Sequence, residues 1–214
     1  MGRRIAIVGN GEILEGAADI IDCSDLVIRF NDCRSIGFGG EKTDIVAVCN
    51  TGRPGKVMTE DAAWRATPGV SQAAAIWSVR HPVKFAEMQP SLVQDWPELD
   101  DFCADYSDGF AAIAESSGKD HLVIPREVHD ELDRVLKIIT VDPYVCPSSG
   151  LLAIAYVLSL KGAEDDTVVI AGFSHEGWHG HPFHAEKQVV SAFEAAGRLT
   201  NLSHISLPSA SQGA

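Results

Sequence analysis

The stretch IAIVGNGEILEGAAD, residues 5–19, decides the fold class of this 214-residue chain. An apolar, mostly β-branched run leads into a glycine-rich turn, and a helix-like segment follows. This pattern is typical of the first strand, turn and helix of an α/β domain. Such a turn lets backbone N–H groups approach a phosphate or a ribose. A tight turn without any ligand explains the same residues, because Leu14 breaks the dinucleotide fingerprint and Ala17 breaks the P-loop pattern.

Further short apolar runs recur along the chain, with helix-like stretches between them. They predict strands at residues 5–8, 26–30, 44–48, 73–79, 122–124, 167–171 and 205–207. The clearest helices are residues 150–161, apolar on nearly every side, and residues 185–199. We therefore expect a single Rossmann-like α/β domain over residues 1–207, with a mostly parallel sheet flanked by helices. Residues 208–214 are expected to be a frayed tail.

The composition argues against several classes of function. The chain has 17 Lys and Arg against 30 Asp and Glu, a formal charge of −13, which is the wrong sign for a nucleic-acid-binding surface. No run approaches the roughly 20 apolar residues of a membrane span, and the run at 5–8 is too short for a signal peptide. The 5 cysteines form no CxxC and no zinc spacing, so we expect reduced thiols in a cytoplasmic protein.

Three motifs follow one another along the chain. Residues 8–48 open with V-G-N, continue with an I-D-x-x-D-x-V-I-R-x-N segment and close with G-x-x-x-D. PSSGL at 147–151 is followed by VVIAGF at 168–173, and His181 and Glu186 form a late H-x4-E pair. In order and content these motifs resemble the large, small and late motifs of the sialyltransferases, glycosyltransferase family 29.

This resemblance implies a fold and an activity. The fold would be the Rossmann-like GT-A variant of sialyltransferases. The activity would be inverting transfer of a sugar acid, of the sialic acid or 3-deoxy-octulosonate type, from a CMP-sugar donor to an acceptor hydroxyl. It would need no metal and no cofactor beyond the donor. The implied partners are the CMP-sugar and a glycan or glycolipid acceptor.

The resemblance also assigns site residues. His181 would be the general base on the acceptor hydroxyl, His179 would donate to the leaving phosphate, and Glu186 would orient that region. Histidine suits such work because its usual pKa lies near neutrality. The nucleotide would be held by Gly9, Asn10, Gly11, Asn31, Ser148, Ser149 and Gly150.

Other interpretations stay open. Short bacterial proteins of this type exist, some of them named urease-operon accessory proteins, so a nucleotide-binding accessory protein without transfer activity is one alternative. The four histidines and two glutamates within residues 175–186 could instead bind a metal. Arg29 could contact phosphate or brace a buried aspartate. The basic residues Arg53, Lys56, Arg80 and Lys84 could line an anionic-substrate funnel or be scattered surface charges.

Overall fold

The computed structural model describes residues 2–160, 162 and 165–204. At its centre lies one sheet in which every pairing is parallel and the spatial order is β5-β4-β3-β2-β1-β6-β7. The strands are β1 (Arg4–Val8), β2 (Leu26–Phe30), β3 (Ile45–Val48), β4 (Ala75–Ser78), β5 (Asp120–Val123), β6 (Thr167–Ala171) and β7 (Thr200–Asn201). The predicted α/β domain is confirmed, with a sheet that is parallel throughout.

Helices connect the strands and cover both faces of the sheet. They are α1 (Ala17–Asp22), α2 (Gly52–Glu60), α3 (Ala62–Ala66), α4 (Pro68–Gln72), α5 (Pro82–Asp95), α6 (Ser107–Ser116), α7 (Arg126–Ile139), α8 (Ser149–Ser159) and α9 (Phe183–Ala195). Short 3₁₀ turns lie at Pro97–Leu99 and Leu202–His204.

The two-sided cover explains why the strands are apolar at successive positions. In β1, Ile5 and Ile7 pack in the core under α7, α8 and α9, whereas Ala6 and Val8 pack on the opposite face against α1. Next to that second face, α2, α3, α4 and α6 cover β3 and β4. Parallel strands buried on both faces read as continuous hydrophobic runs.

The strand order places a topological switch point between β1 and β6. From β1 the sheet grows outward to β5, and the chain then returns to lay β6 on the other side of β1. Connections that leave in opposite directions open a crevice at the carboxyl ends of these two strands, the usual ligand site of open α/β sheets.

Six of the predicted strands occur, and none of their ends is shifted by more than two residues. The predicted strand 205–207, the tail 208–214 and the end of the helix at residue 161 lie outside the described residues. β7 at Thr200–Asn201 was missed because the helix predicted to run to 199 ends at Ala195, before Gly197 at φ +68°.

Candidate functional site

Polar residues follow the carboxyl ends of neighbouring strands. Asn10 follows β1, Asn31 follows β2, Asn50 follows β3 and Arg80 follows β4. Because all strands are parallel, these side chains share one edge of the sheet with the start of α8 and the 172–183 loop. The switch point opens on the same edge.

A cavity of about 390 Å³ lies at the switch point. Its lining includes the seven residues that the resemblance assigns to the nucleotide, Gly9, Asn10, Gly11, Asn31, Ser148, Ser149 and Gly150, together with His181 and Glu186. These residues come from segments more than a hundred positions apart in sequence. The structure therefore brings them together at one place, and His179 is absent from the lining.

The glycines of the first turn serve a close approach of two backbones. The Gly9 N–H donates to Ala171 O at 2.8 Å and the Gly11 N–H donates to Gly172 O at 2.9 Å. A Cβ at Gly9 would lie 2.3 Å from the carbonyl oxygen of Gly172, and Gly172 itself has φ +71°. These two amides are thus occupied, and the glycines shape the cavity rather than offer it free N–H donors, which revises the sequence interpretation.

The two asparagines are held by the edge of the sheet. Asn10 donates through Nδ2 to Phe30 O at 3.2 Å, and its Oδ1 accepts from the Arg34 N–H at 3.0 Å. Asn31, in the left-handed region at φ 53°, accepts through Oδ1 from the Cys49 N–H at 2.9 Å. Among the described residues no hydrogen bond engages Asn31 Nδ2, so this residue of the cavity lining keeps a free donor.

The start of α8 presents free donors to the cavity. Ser148 caps the helix, its Oγ accepting from the Leu151 N–H at 3.2 Å, as its sequence position predicted. Within the described part of the chain the N–H groups of Ser149 and Gly150 have no backbone partner. First-turn N–H groups and the helix dipole favour an anion here.

Glu186 binds the turn that precedes α8. Its carboxylate accepts from the Ser148 N–H and the Ser148 hydroxyl, both at 2.6 Å, and the side chain is 1% exposed. Burial raises the pKa of Glu186, and the two bonds from Ser148 oppose that rise. The carboxylate therefore holds the 147–150 turn in place.

His181 is oriented by its backbone environment. Its Nδ1 donates to Cys146 O at 2.8 Å, which leaves the Nε2 lone pair free. Its ring makes T-shaped contacts with the rings of Trp178 and Phe183, with centroids 5.0 and 5.4 Å away. Burial, followed by the charge of Arg80, lowers the pKa of His181 to about 4 against the opposing bond to Cys146, so the ring is neutral at pH 7.

The other histidines of the loop are arranged differently from the sequence expectation. His179 is exposed and contacts Trp178, outside the switch-point cavity. His175 lines the cavity instead, at φ 52° and half-buried. No three His, Cys, Asp or Glu side chains converge as a metal site in residues 2–160, 162 and 165–204.

Arg29 is structural. It is completely buried and donates to the Lys42, Gly39 and Gly40 carbonyls and to the Ser35 hydroxyl at 2.8–3.1 Å. Its partners are therefore not Asp25 or Asp44, which accept from the backbone N–H groups of Arg4 and Val27. Together with Asp22, which accepts from the Glu41 and Lys42 N–H groups, Arg29 fixes the loop after β2.

The four basic residues of the middle segment do not form one funnel. Lys84 is bound to Asp130 and Asp133 on α7, and Lys56 is exposed. Arg53 and Arg80 line a second cavity of about 350 Å³, which shares Asn31, Ser149 and His181 with the first. Arg80 is 4% exposed and so is not a surface charge.

Sequence reasoning gave no site role to Asn50 or Trp178, and named Arg80 only as a possible member of an anionic-substrate funnel. The signal for Asn50 and Arg80 was their place just after an apolar strand, the same place that Asn10 and Asn31 occupy. Trp178 stacks on Phe102 with ring centroids 5.1 Å apart, a contact between distant segments that no local pattern reveals.

Solved structures of the same fold are sialyltransferases. A mammalian sialyltransferase superposes with a TM-score of 0.54 at 18% identity, over 94% of this chain and 68% of that one. An α-2,3-sialyltransferase from Campylobacter jejuni gives 0.53 at 15% identity, over 96% and 77%. The Campylobacter jejuni sialyltransferase CstII, solved with the substrate analogue CMP-3FNeuAc, gives 0.53 at 13% identity, over 96% and 83%. The chain has the sialyltransferase fold.

A curated relative is far more similar in sequence. The urease operon 23 kDa accessory protein of Rhizobium meliloti (strain 1021) is 51% identical over 213 residues, spanning 100% of this chain and 99% of that protein. The chain belongs to the family of that accessory protein. No family model matches the sequence. In the part of the chain that the structure describes, no helix combines the length and apolarity needed to cross a bilayer.

Proposed function

We propose that this protein is a metal-independent glycosyltransferase that binds a CMP-sugar at the switch point and transfers its sugar acid to an acceptor hydroxyl. One observation carries the proposal. His181 stands between two cavities, its Nδ1 bonded to Cys146 O and its Nε2 free, and both cavities also touch Asn31 and Ser149. A base in that position can serve a donor in one cavity and an acceptor in the other.

The donor nucleotide occupies the switch-point cavity. The free N–H groups at the start of α8 suit its phosphate. Arg34, an exposed arginine on the cavity wall, pairs with Asp32 through Nε at 2.8 Å and retains its other donors for the phosphate. Asn31 Nδ2 adds a neutral donor. His175 lines this cavity and is the histidine placed to contact the leaving phosphate, a role that the family resemblance gives to His179.

The transfer is a single displacement. The acceptor oxygen forms a bond to the anomeric carbon as that carbon's bond to the CMP phosphate oxygen breaks, and the acceptor proton passes to Nε2 of His181. CMP leaves, and the anomeric centre is inverted. Burial keeps His181 neutral and ready to accept a proton, and the negative charge of a bound donor raises its pKa toward the range where a base is most effective.

Nucleotide binding is the first test. Calorimetric titration should give tighter binding of CMP than of UMP or GMP, because a wrong base leaves buried polar groups without partners at about 1–3 kcal/mol each. Binding should survive EDTA. Equal affinity for CMP and UMP would refute the proposal.

The second test separates the base from the binding residues. His181→Ala should slow transfer, or the slow hydrolysis of a CMP-sugar, by about 10²–10⁴ while CMP affinity stays within a few-fold. His184→Ala, which removes an exposed histidine in the first turn of α9, is the matched control and should behave as wild type. His175→Ala and His179→Ala, compared for CMP affinity, identify which of the two contacts the phosphate.

The second candidate function is a CMP-binding accessory protein without transfer activity. The name of the 51% identical relative favours it. In that case CMP binds to the wild type, no CMP-sugar is turned over, and His181→Ala changes neither CMP affinity nor any reaction.

A further inference from the structure

A buried cation, Arg80, lines the second cavity. Arg80 is 4% exposed, and its backbone is held by Asn50, whose Oδ1 accepts from the Arg80 N–H at 2.8 Å and whose Nδ2 donates to Arg80 O at 2.9 Å. The guanidinium carbon stands 4.4 Å from the centre of the Phe102 ring and 5.1 Å from that of Phe85. The guanidinium is thus fixed in place in a largely apolar setting.

The hydrogen bonds of this guanidinium are incomplete. Nη1 donates to Thr51 Oγ1 at 2.6 Å, and Nη2 lies 3.8 Å from Cys146 Sγ. Nε is buried and has no partner among the residues that the structure describes. A guanidinium carries five donors, so Arg80 has spare capacity toward the cavity that it lines.

The charge of Arg80 is also uncompensated. Within the described ranges of the chain no carboxylate pairs with it, and Asp101, the carboxylate on the cavity wall, is bound to Arg53 at 2.9 Å. Burial raises the pKa of the Cys146 thiol to about 12, so the sulfur beside Nη2 is neutral. A buried charge without a counter-ion is unfavourable, and an anionic ligand removes that penalty.

We propose that the second cavity binds an acidic sugar, with the carboxylate or phosphate of that sugar on the guanidinium of Arg80. The volume of about 350 Å³ lies within the usual range of small-molecule sites, and the Phe102–Trp178 pair gives it an apolar wall. That this sugar is the acceptor rests on the proposed function, because His181 lines the cavity; the binding of the anion does not.

The anion has a further effect on the base. The charge of Arg80 contributes to the low pKa of His181, and an anion paired with Arg80 offsets that contribution. A charged acceptor would therefore raise the pKa of His181 and make it a stronger base, whereas a neutral sugar would not.

The wild-type protein gives the first test. Titration with galacturonate, galactose 6-phosphate and galactose at constant ionic strength should show the two acidic sugars binding about 10- to 100-fold more tightly than galactose. The ratio between the two acidic sugars shows whether carboxylate or phosphate is preferred. Equal binding of all three, or no binding of any, overturns the proposal without any variant being made.

Two variants and a control then locate the anion. Thr51→Asp provides Arg80 with an internal carboxylate. Because aspartate is a favoured residue at the N-cap position of α2, where Thr51 makes no side-chain cap bond, this variant should fold and lose the preference for acidic sugars. Arg80→Gln should lose the same preference. Lys56→Gln, which removes an exposed cation that lines neither cavity, should bind acidic sugars within threefold of wild type, about 0.7 kcal/mol. A preference that survives both Thr51→Asp and Arg80→Gln overturns the proposal.

A CMP titration of the same samples separates the two proposals. If acidic sugars are preferred but CMP does not bind, the proposed function fails and the anion site stands. If CMP binds and acidic sugars are not preferred, the anion site fails and the proposed function stands.

Discussion

Removal of the Glu186 carboxylate should loosen the turn that begins α8. In Glu186→Ala, the Ser148 N–H and hydroxyl both lose an acceptor at 2.6 Å. Each polar group left without a partner costs about 1–3 kcal/mol, and water reaches this half-buried serine, so the lower half of that range applies. The raised pKa of Glu186 shows that its burial is unfavourable for the charged form, and removal of the carboxylate offsets part of this destabilisation. We expect a net loss of about 2–3 kcal/mol in the free energy of unfolding.

The assay is urea unfolding followed by circular dichroism, with a CMP titration of the same variant. Glu186→Gln keeps an acceptor for the Ser148 N–H and should lose less than half as much. In the wild type, the raised pKa of Glu186 means that the folded state releases its proton at higher pH than the unfolded chain, so stability falls as pH rises above the usual pKa of glutamate. Glu186→Gln lacks this proton, so its stability should fall less than that of the wild type over the same pH range.

Glu176→Ala is the matched control, since Glu176 lines the same cavity but is exposed. It should leave the unfolding midpoint unchanged. If Glu186→Ala unfolded at the wild-type urea concentration, the turn would not depend on this carboxylate, and the role given to Glu186 would be wrong.

Two further predictions concern pH and the switch point. His129 is 1% exposed, and burial is the chief cause that lowers its pKa from 6.5 to about 4. The free energy of unfolding should therefore be highest above pH 6.5, where the unfolded chain is also neutral at this residue, and decrease by up to about 3 kcal/mol as the pH drops toward 4. Urea midpoints at pH 7 and 5 should differ less in His129→Gln; an unchanged difference would contradict this. Gly172→Ala should destabilise more than Gly118→Ala. Both glycines have positive φ, and an alanine in that conformation costs about 1–3 kcal/mol of stability at either position. At residue 172 the new Cβ would also lie 2.9 Å from Gly9 O, whereas at residue 118 it would meet open space. Equal thermal shifts would argue against the backbone contact.

The convergence of Asn10, Asn31 and Ser148 at the switch-point cavity could be predicted because these residues lie in local patterns. Asn10 and Asn31 follow apolar strands, and Ser148 precedes an apolar helix, so strand ends and a helix cap were recognisable without tertiary information. The family resemblance rests on these same segments. Its residues therefore converge where the strand order places them.

The middle segment, residues 50–120, was not predictable to the same degree. Its helices are short and interrupted, with Asp61 capping α3, Pro68 at the start of α4 and Pro90 inside α5. Short helices take most of their stability from packing, so their sequence periodicity is weak. The second cavity is built largely from this segment, and of the four basic residues that the sequence offered for a funnel only Arg53 and Arg80 line it.

The sequence by itself determined the α/β class, because parallel strands buried on both faces must be apolar runs, and it determined which side chains stand at the strand ends. The tertiary structure decided the roles of those side chains. It engaged the Gly9 and Gly11 N–H groups in hydrogen bonds to the end of β6 and to Gly172, and placed His175 rather than His179 on the cavity wall. It also buried Arg80 without a carboxylate partner among the described residues. The physical reason is that hydrogen-bond partners and charge compensation depend on residues distant in sequence, whereas hydrophobic periodicity depends on near neighbours.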